Sequence, residues 1–516
     1  MMIYRNEMSD FDVNLKKIIP YESDVNQVNE KENNENLENV NAADEVMEHK
    51  SKEDKISKEK KELISSLLAN VEKINIIDYA KEKLGYIPSY NKDGEPLPLK
   101  QKHLKVALIE YFNDIANSNN WKITKDKSET IYLFNGAYWI PFYKDDIVYL
   151  LREFIIKTGI PLIEAKDELF KEKLYKQFLS EIEPFYKKSN NLSVINLLNG
   201  TLDLENMQLK KFDYKDFLTY QLPFAYDEKA VNELWLQFLD EVLPDKETQR
   251  TLQEVIGSIF VKGIKLEYAT FLYGSGANGK SVVMEVIAGV LGRENVSFYS
   301  LDDLMQEHYR ALIKDKLLNF GSENNTKKLQ SDTFKKLASG EPIGARQKYG
   351  KPFTMENYAR LIFAVNQMKL KEIEYTDGFF RRFLIIPFKR TIPREKRDKK
   401  LHLKILQNPA GVLNWIIDGA KRVLINEDVF ISNECKEARK QFIKDIDSVL
   451  QFLDENNYKK SDYFRKYIKD FYNEYKEWSF ESGIRPVGKR EFSKRLEALG
   501  YIKRKDKNWY FLIEKK

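Results

Sequence analysis

Eight consecutive residues carry the densest chemical signal in the chain: Gly274-Ser275-Gly276-Ala277-Asn278-Gly279-Lys280-Ser281. Glycine at 274, 276 and 279 allows a turn tight enough for successive backbone N–H groups to point inward at one anion. Lys280 adds a compact positive charge, and the Ser281 hydroxyl can serve as a ligand of a divalent cation. This is the composition of a loop that grips a nucleoside triphosphate, with Lys280 on the β- and γ-phosphates and Ser281 on Mg²⁺. The flanks agree. An apolar run from Thr270 to Tyr273 leads in, and Val282, Val283, Val286 and Ile287 recur on one side of the segment that follows. The loop therefore joins a strand to a helix, and the helix directs its positive end at the same anion.

Hydrolysis of the bound ATP needs more than a phosphate grip: a metal, an oriented water, a group that senses the γ-phosphate, and positive charge for the transition state. Three downstream positions offer these. Glu323 closes an apolar strand pattern that begins at Lys316, and its carboxylate can help hold Mg²⁺ or polarise water. Asn366 closes a second strand pattern, from Arg360, and can bond water or the γ-phosphate. Arg381 and Arg382 follow Asp377-Gly378-Phe379-Phe380 and precede a third apolar run, a placement that suits an arginine finger donated to a neighbouring subunit's ATP. Between Glu323 and Asn366, residues 335–351 read as two extended pieces around a basic tip, carrying Lys336, Arg346, Lys348, Tyr349 and Lys351. Positive charge beside an aromatic face is the mixture that tracks a single strand of nucleic acid.

Strands that alternate with helical segments after such a loop imply an α/β core with a largely parallel sheet, its ligand at the carboxyl ends of the strands. Four regions are expected. Residues 1–62 are rich in Asn, Glu, Asp and Lys and form an acidic, disordered tail. Residues 63–235 form a mixed α+β region, with a helix at Leu104–Ile115 and hairpins at the turn pairs Asn135-Gly136 and Asn199-Gly200. Residues 236–430 hold the ATPase with its flanking helices, and 431–516 form a basic C-terminal domain. From Lys440 onward there are 19 Lys and Arg against 13 Asp and Glu, an excess of six where the whole chain carries +5. Positive charge is thus concentrated at this end. Ser461 to Ser482 reads as a helix, Gly488 to Leu496 as a second, and Tyr501–Lys503 with Trp509–Ile513 as a hairpin, together a winged-helix pattern presenting Lys489, Arg490 and Lys494 to DNA.

Composition narrows the class further. A single cysteine, Cys435, excludes a disulfide within the chain, and four scattered histidines give no zinc-ligand spacing. No apolar run approaches the roughly 18 residues of a membrane span, and no signal-peptide pattern opens the chain, so a cytoplasmic protein with no membrane partner is expected.

The ordered series GSGANGKS, NFGSEN, KLASGEPIGAR, FAVNQM and DGFFRRFLIIPF resembles the superfamily 3 helicases, and more narrowly the phage and plasmid primase-helicases to which the poxvirus primase-helicase belongs. INLLNGTLDLENMQLKKFDYKDFLTYQLPFAYD resembles that family's region upstream of the ATPase, and VGKREFSKRLEALGY its terminal winged helix. The resemblance spans about residues 100–516. It implies an AAA+-like core using ATP and Mg²⁺, with Lys280 and Ser281 in the phosphate loop, Glu323 as the acidic residue, Asn366 as the sensor, and Arg381 or Arg382 as the finger. It also implies a ring, hexameric by expectation, that works on single-stranded or forked DNA in the cytoplasm of a bacterial host, with a separate primase or initiator as a further partner. Two features depart from the family pattern. The acidic tail stands where relatives carry a primase domain, so a helicase without primase activity is expected. Asn319 and Asn324 stand where others have a second acid. A replication initiator that binds duplex origin DNA with little unwinding is the alternative, and a nucleotide-dependent structural ATPase without DNA is the third reading.

Overall fold

The computed structural model describes residues 58–126, 129–184, 193–323, 331–347, 350, 352–356, 358–366 and 376–515. Most of the acidic tail, together with Asn324, Lys348, Tyr349 and Lys351, therefore lies outside the described residues. Residues 66–516 form one compact unit.

Beyond a short helix at Ile76–Leu84, this unit forms an α+β layer. Helix α1 (Gln101–Ser118) is followed by an antiparallel sheet of β1 (Ile123–Lys125), β2 (Ile131–Phe134) and β3 (Trp139–Phe142), then by α2 (Lys144–Thr158) and α3 (Glu168–Glu181). The expected hairpin forms, with Gly136 at φ 101° in its turn. Phe112 of α1 meets Phe154 of α2 and Phe178 of α3 edge-on at 5.2 and 5.3 Å, so these aromatics are core. The second hairpin joins β4 (Val194–Leu197) to β5 (Gly200–Asp203), with β6 (Gln208–Lys210) alongside. Helix α3 begins at Glu168, where Asp167 caps it by accepting from the Phe170 N–H at 2.6 Å.

After α4 (Glu233–Val242) and α5 (Lys246–Gly257) comes a five-stranded sheet. Its strands are β7 (Ala269–Tyr273), β8 (Val296–Ser297), β9 (Leu318–Glu323), β12 (Arg360–Val365) and β13 (Phe383–Pro387), in the spatial order β13-β7-β12-β9-β8, with every pairing parallel. Helix α6 (Lys280–Leu291) follows β7. Helix α7 (Ser331–Ala338) and the antiparallel pair β10 (Ile343–Arg346) and β11 (Pro352–Met355) lie between β9 and β12 in the chain. The short helix α8 (Asp377–Phe380) precedes β13.

Both faces of the sheet are buried, as a parallel sheet requires. Leu272, Ile362, Leu384 and Ile386 face one core with Val283, Val286 and Ile287 of α6 and with α9 (Pro409–Asn426). Phe271, Phe363 and Phe383 stack on the other face, Phe271 at 5.3 Å from Phe363 and 5.0 Å from Phe383. Gly321 sits opposite Phe363 in register, and a Cβ there would lie 2.4 Å from the Phe363 ring. The ring occupies the space that any side chain at 321 would need.

Helix α10 (Asn433–Ile446) packs along β13 and leads to the last set of elements: α11 (Ser448–Glu455), β14 (Tyr458–Tyr467), α12 (Ile468–Glu481), α13 (Lys489–Ala498), β15 (Lys503–Lys505) and β16 (Trp509–Lys515). The sheet order is β14-β16-β15, antiparallel throughout. The expected helix at Ser461–Ser482 is corrected here. Residues 461–467 belong to an edge strand, and helix begins only at Ile468. The hairpin also shifts, since Arg504 and Lys505 lie in β15 and the turn is 506–508. A buried ion pair, Arg495 Nη1 to Asp447 Oδ1 at 3.1 Å, fastens α13 to the start of α11. Among the described residues, no helix is long and apolar enough to cross a membrane.

Candidate nucleotide-binding site

The strand order places the loop after β7 beside the end of β12, where neighbouring strands leave in different directions and open a crevice. Gly274 follows Tyr273, and its N–H donates to the Val365 carbonyl at 3.1 Å, stitching the start of the loop to β12. A Cβ on Gly274 would fall 2.2 Å from Asn278 Nδ2 and 2.4 Å from the Phe388 carbonyl oxygen, so only glycine fits. Asn278 is buried and its amide donates to that carbonyl at 3.1 Å, clamping the loop to the end of β13. Gly276, Ala277 and Gly279 all have positive φ, at 99°, 50° and 87°. Ala277 is held in this left-handed region, uncommon for a residue with a Cβ, while its carbonyl accepts from the Ile392 N–H at 2.8 Å. Ser275 is exposed on the outside of the turn.

Lys280 opens α6 and is 5% exposed. Its Nζ donates to the Gly274 carbonyl at 2.7 Å, to Asn278 Oδ1 at 2.9 Å and to Asn366 Oδ1 at 3.0 Å. All three acceptors are neutral, so burial is uncompensated and lowers the lysine pKa to about 8. The N-cap of α6, Gly279, has no side-chain oxygen to satisfy the first-turn N–H groups. A cation bonded only to neutral acceptors at such a helix start fits a polyphosphate. Ser281 is exposed in the same first turn.

Asn366 lies immediately beyond β12 and is exposed apart from its bond to Lys280, so two residues chosen 86 positions apart in the sequence meet here. Glu323 is the last residue of β9, its backbone in register with Val365, which puts it at the same end of the sheet. Asn319 does not belong to this site. It is fully buried, accepts from Ser297 Oγ at 2.9 Å and from the Tyr299 N–H at 3.0 Å, and donates to the Tyr299 carbonyl at 2.9 Å. It locks β9 to the end of β8, about 13 Å of strand away from Glu323.

The arginine pair separates. Arg382 is 9% exposed, with Nε on Ser339 Oγ at 3.2 Å and Nη1 on the Gly378 carbonyl, so it ties α8 to the end of α7. Arg381 reaches the surface and pairs with Glu267 at 2.9 Å. Both precede β13, whose Phe383 lies opposite Ala269, whereas the phosphate loop follows Tyr273 opposite Pro387. The pair and the loop thus occupy opposite ends of the strands. Lys336 is exposed on α7, and Arg346 ends β10 with its Nε on the Gly350 carbonyl at 3.0 Å, at the base of the expected hairpin. Lys489, Arg490 and Lys494 are exposed on α13. Sequence reasoning missed the clamping roles of Asn278 and Asn319 and the buried Arg495. Each is a polar residue in an apolar setting, but only the three-dimensional partners distinguish it from a surface residue.

The lysine pKa gives a testable consequence. Bound phosphate would hold Lys280 charged, so its pKa is higher with nucleotide than without. Affinity for Mg-nucleotide should then be flat below pH 8 and fall above it, by up to about tenfold per pH unit. Calorimetry near pH 8.5, in buffers of different ionisation enthalpy, should show proton uptake on binding that disappears in Lys280→Met.

Two protein-family descriptions match the chain: "D5 N terminal like" over residues 107–244, and "Family of unknown function (DUF5906)" over residues 272–382, which runs from β7 through the phosphate loop to Arg382. The "Putative helicase 121R" of Invertebrate iridescent virus 3 is 24% identical over 348 residues, covering 58% of this chain. The aligned part is 37% of that relative's length. Two solved structures of the NrS-1 C-terminal region align over 77% of the chain, covering 87% and 86% of theirs, at 16% and 15% identity with TM-scores of 0.45 and 0.43, too slight a likeness to weigh. The D5-like region and the viral putative helicase bear out the resemblance to phage and viral primase-helicases that the order of the ATPase motifs carries.

Proposed function

We propose that the chain is an ATP-dependent DNA helicase that works as a ring, most simply a hexamer, in the replication of phage or mobile-element DNA. The observation that carries this reading is the buried Lys280, bonded to Asn366 and to the phosphate loop and without a carboxylate partner. In this reading Gly274 to Ser281 bind ATP, Ser281 and Glu323 hold Mg²⁺, and Asn366 reports the γ-phosphate to Lys280. Arg381 is the finger. It lies a strand's length, about 16 Å, from its own chain's loop, which supports action on a neighbour's ATP and hence repeated head-to-tail contacts that close into a ring.

Single-stranded or forked DNA is the proposed substrate, gripped by Lys336, by Arg346 at the end of β10 and by Lys348, Tyr349 and Lys351 further along the sequence. The C-terminal order helix, strand, two helices, two strands supports a winged helix, with Lys489, Arg490 and Lys494 on phosphates. The proposed domains are 1–62, 63–235, 236–430 and 431–516. A strand-displacement assay on a forked substrate tests the function: ATP-dependent release of the labelled strand is expected. Sequence-specific duplex binding without displacement would replace this reading with an origin-binding initiator.

A further inference from the structure

Strand β14 is unusual for an edge strand. It carries Lys459, Lys460, Arg465 and Lys466 against one acid, Asp462. Its pairing with β16 slips between Lys460, opposite Ile513, and Arg465, opposite Leu512, so residues 461–464 have no partners across the ladder and bulge from it. The bulge is ordered, since Ser461 Oγ accepts from the N–H groups of Tyr463 at 3.3 Å and Phe464 at 3.1 Å. It presents two consecutive aromatic side chains to solvent, Tyr463 at 89% exposure and Phe464 at 64%. Arg465 Nη1 reaches Asp506 Oδ2 at 3.0 Å, linking the bulge to the β15–β16 turn. On that hairpin the half-exposed Trp509 has the Lys503 and Lys505 ammonium groups 5.1 and 5.5 Å from its ring.

Exposed aromatic faces among cations match a strand whose bases are unpaired. Every base has a π-face for stacking and every phosphate a charge, whereas a duplex hides its base faces in its own stack. We propose that the Ser461–Phe464 bulge is a stacking platform for unpaired nucleotides, tied through Arg465 and Asp506 to the β15–β16 hairpin, so that this end of the chain engages a junction between double and single strand. This rests on the DNA-motor reading.

The test compares the full chain with a Tyr463→Ala, Phe464→Ala double variant. Fluorescence anisotropy is measured on a labelled single strand and on a blunt duplex over a range of salt, and 5-bromouracil-substituted single strand is photocrosslinked to the wild-type protein. Single-strand affinity should fall by about tenfold or more in the variant. The salt slope should be unchanged, because no charge is removed. Duplex affinity and basal ATP hydrolysis should be unaffected, and crosslinks should map to the peptide holding Tyr463 and Phe464. A Tyr463→Trp, Phe464→Trp variant should retain single-strand affinity. Equal single-strand affinity in wild type and the alanine variant, with no crosslink at the bulge, would overturn the platform and leave the motor standing. Unchanged single-strand affinity with altered subunit association in mass photometry would reassign the pair to a protein contact. A wild-type chain that binds no DNA of either kind would remove the motor reading and the platform together.

Discussion

Replacing Lys280 with alanine should lower steady-state ATP hydrolysis by at least about a hundredfold while leaving the fold intact. The loss follows from charge, because no other cation of the described site shares the loop with Lys280 and its three partners are neutral. The tolerance of the fold follows from the same fact. Burial works against the ammonium, so removing it deletes an uncompensated charge rather than half of an ion pair. The melting temperature of the variant should change little, because relief of the buried charge offsets the loss of the donor to the Gly274 carbonyl and Asn278 Oδ1. Full turnover in Lys280→Ala would refute the assignment of the loop, and an unfolded variant would refute the account of its environment.

The second large effect is a split between the adjacent arginines. Arg381→Ala should cut hydrolysis by about a thousandfold or more in the assembled protein, as loss of a finger does, with little change in stability. Its surface pair with Glu267 contributes little to folding. Arg382→Ala should instead lower stability by about 1–3 kcal/mol, since it strands the Ser339 hydroxyl and the Gly378 carbonyl at a buried position. Mixing Arg381→Ala subunits with Lys280→Ala subunits provides the decisive readout. Each mixed interface of one orientation pairs an intact loop with an intact finger, so hydrolysis should reappear on mixing two inactive proteins. No recovery, together with normal co-assembly, would place the finger elsewhere.

Much of this site was legible in the sequence because its parts are fixed by local rules. A glycine loop between a strand and a helix turns its backbone N–H groups toward one point by local geometry, and parallel strands deliver their terminal residues to one end of the sheet. Glu323 and Asn366 were therefore placed correctly by their position after apolar runs alone. The sequence pattern failed where position was set by a distant partner. Asn319 stands in an acid's place by motif, but its side chain is fully used by Ser297 and Tyr299. Arg381 and Arg382 are equivalent in sequence and separate only through Ser339, which is contributed from 43 positions upstream. Residues 461–467 of β14 read as helix because the strand is half of an edge pair with little buried surface. A four-residue slip in its register erases the alternation that marks a strand, and its aromatics then resemble those of the helix that follows.

The measurement that bears most directly on the central claim is ATP hydrolysis by the full chain with and without single-stranded DNA, run beside Lys280→Ala. The account predicts hydrolysis that single-stranded DNA accelerates several-fold and that Lys280→Ala lacks in both conditions. Hydrolysis indifferent to DNA, or equal in the two proteins, would contradict it.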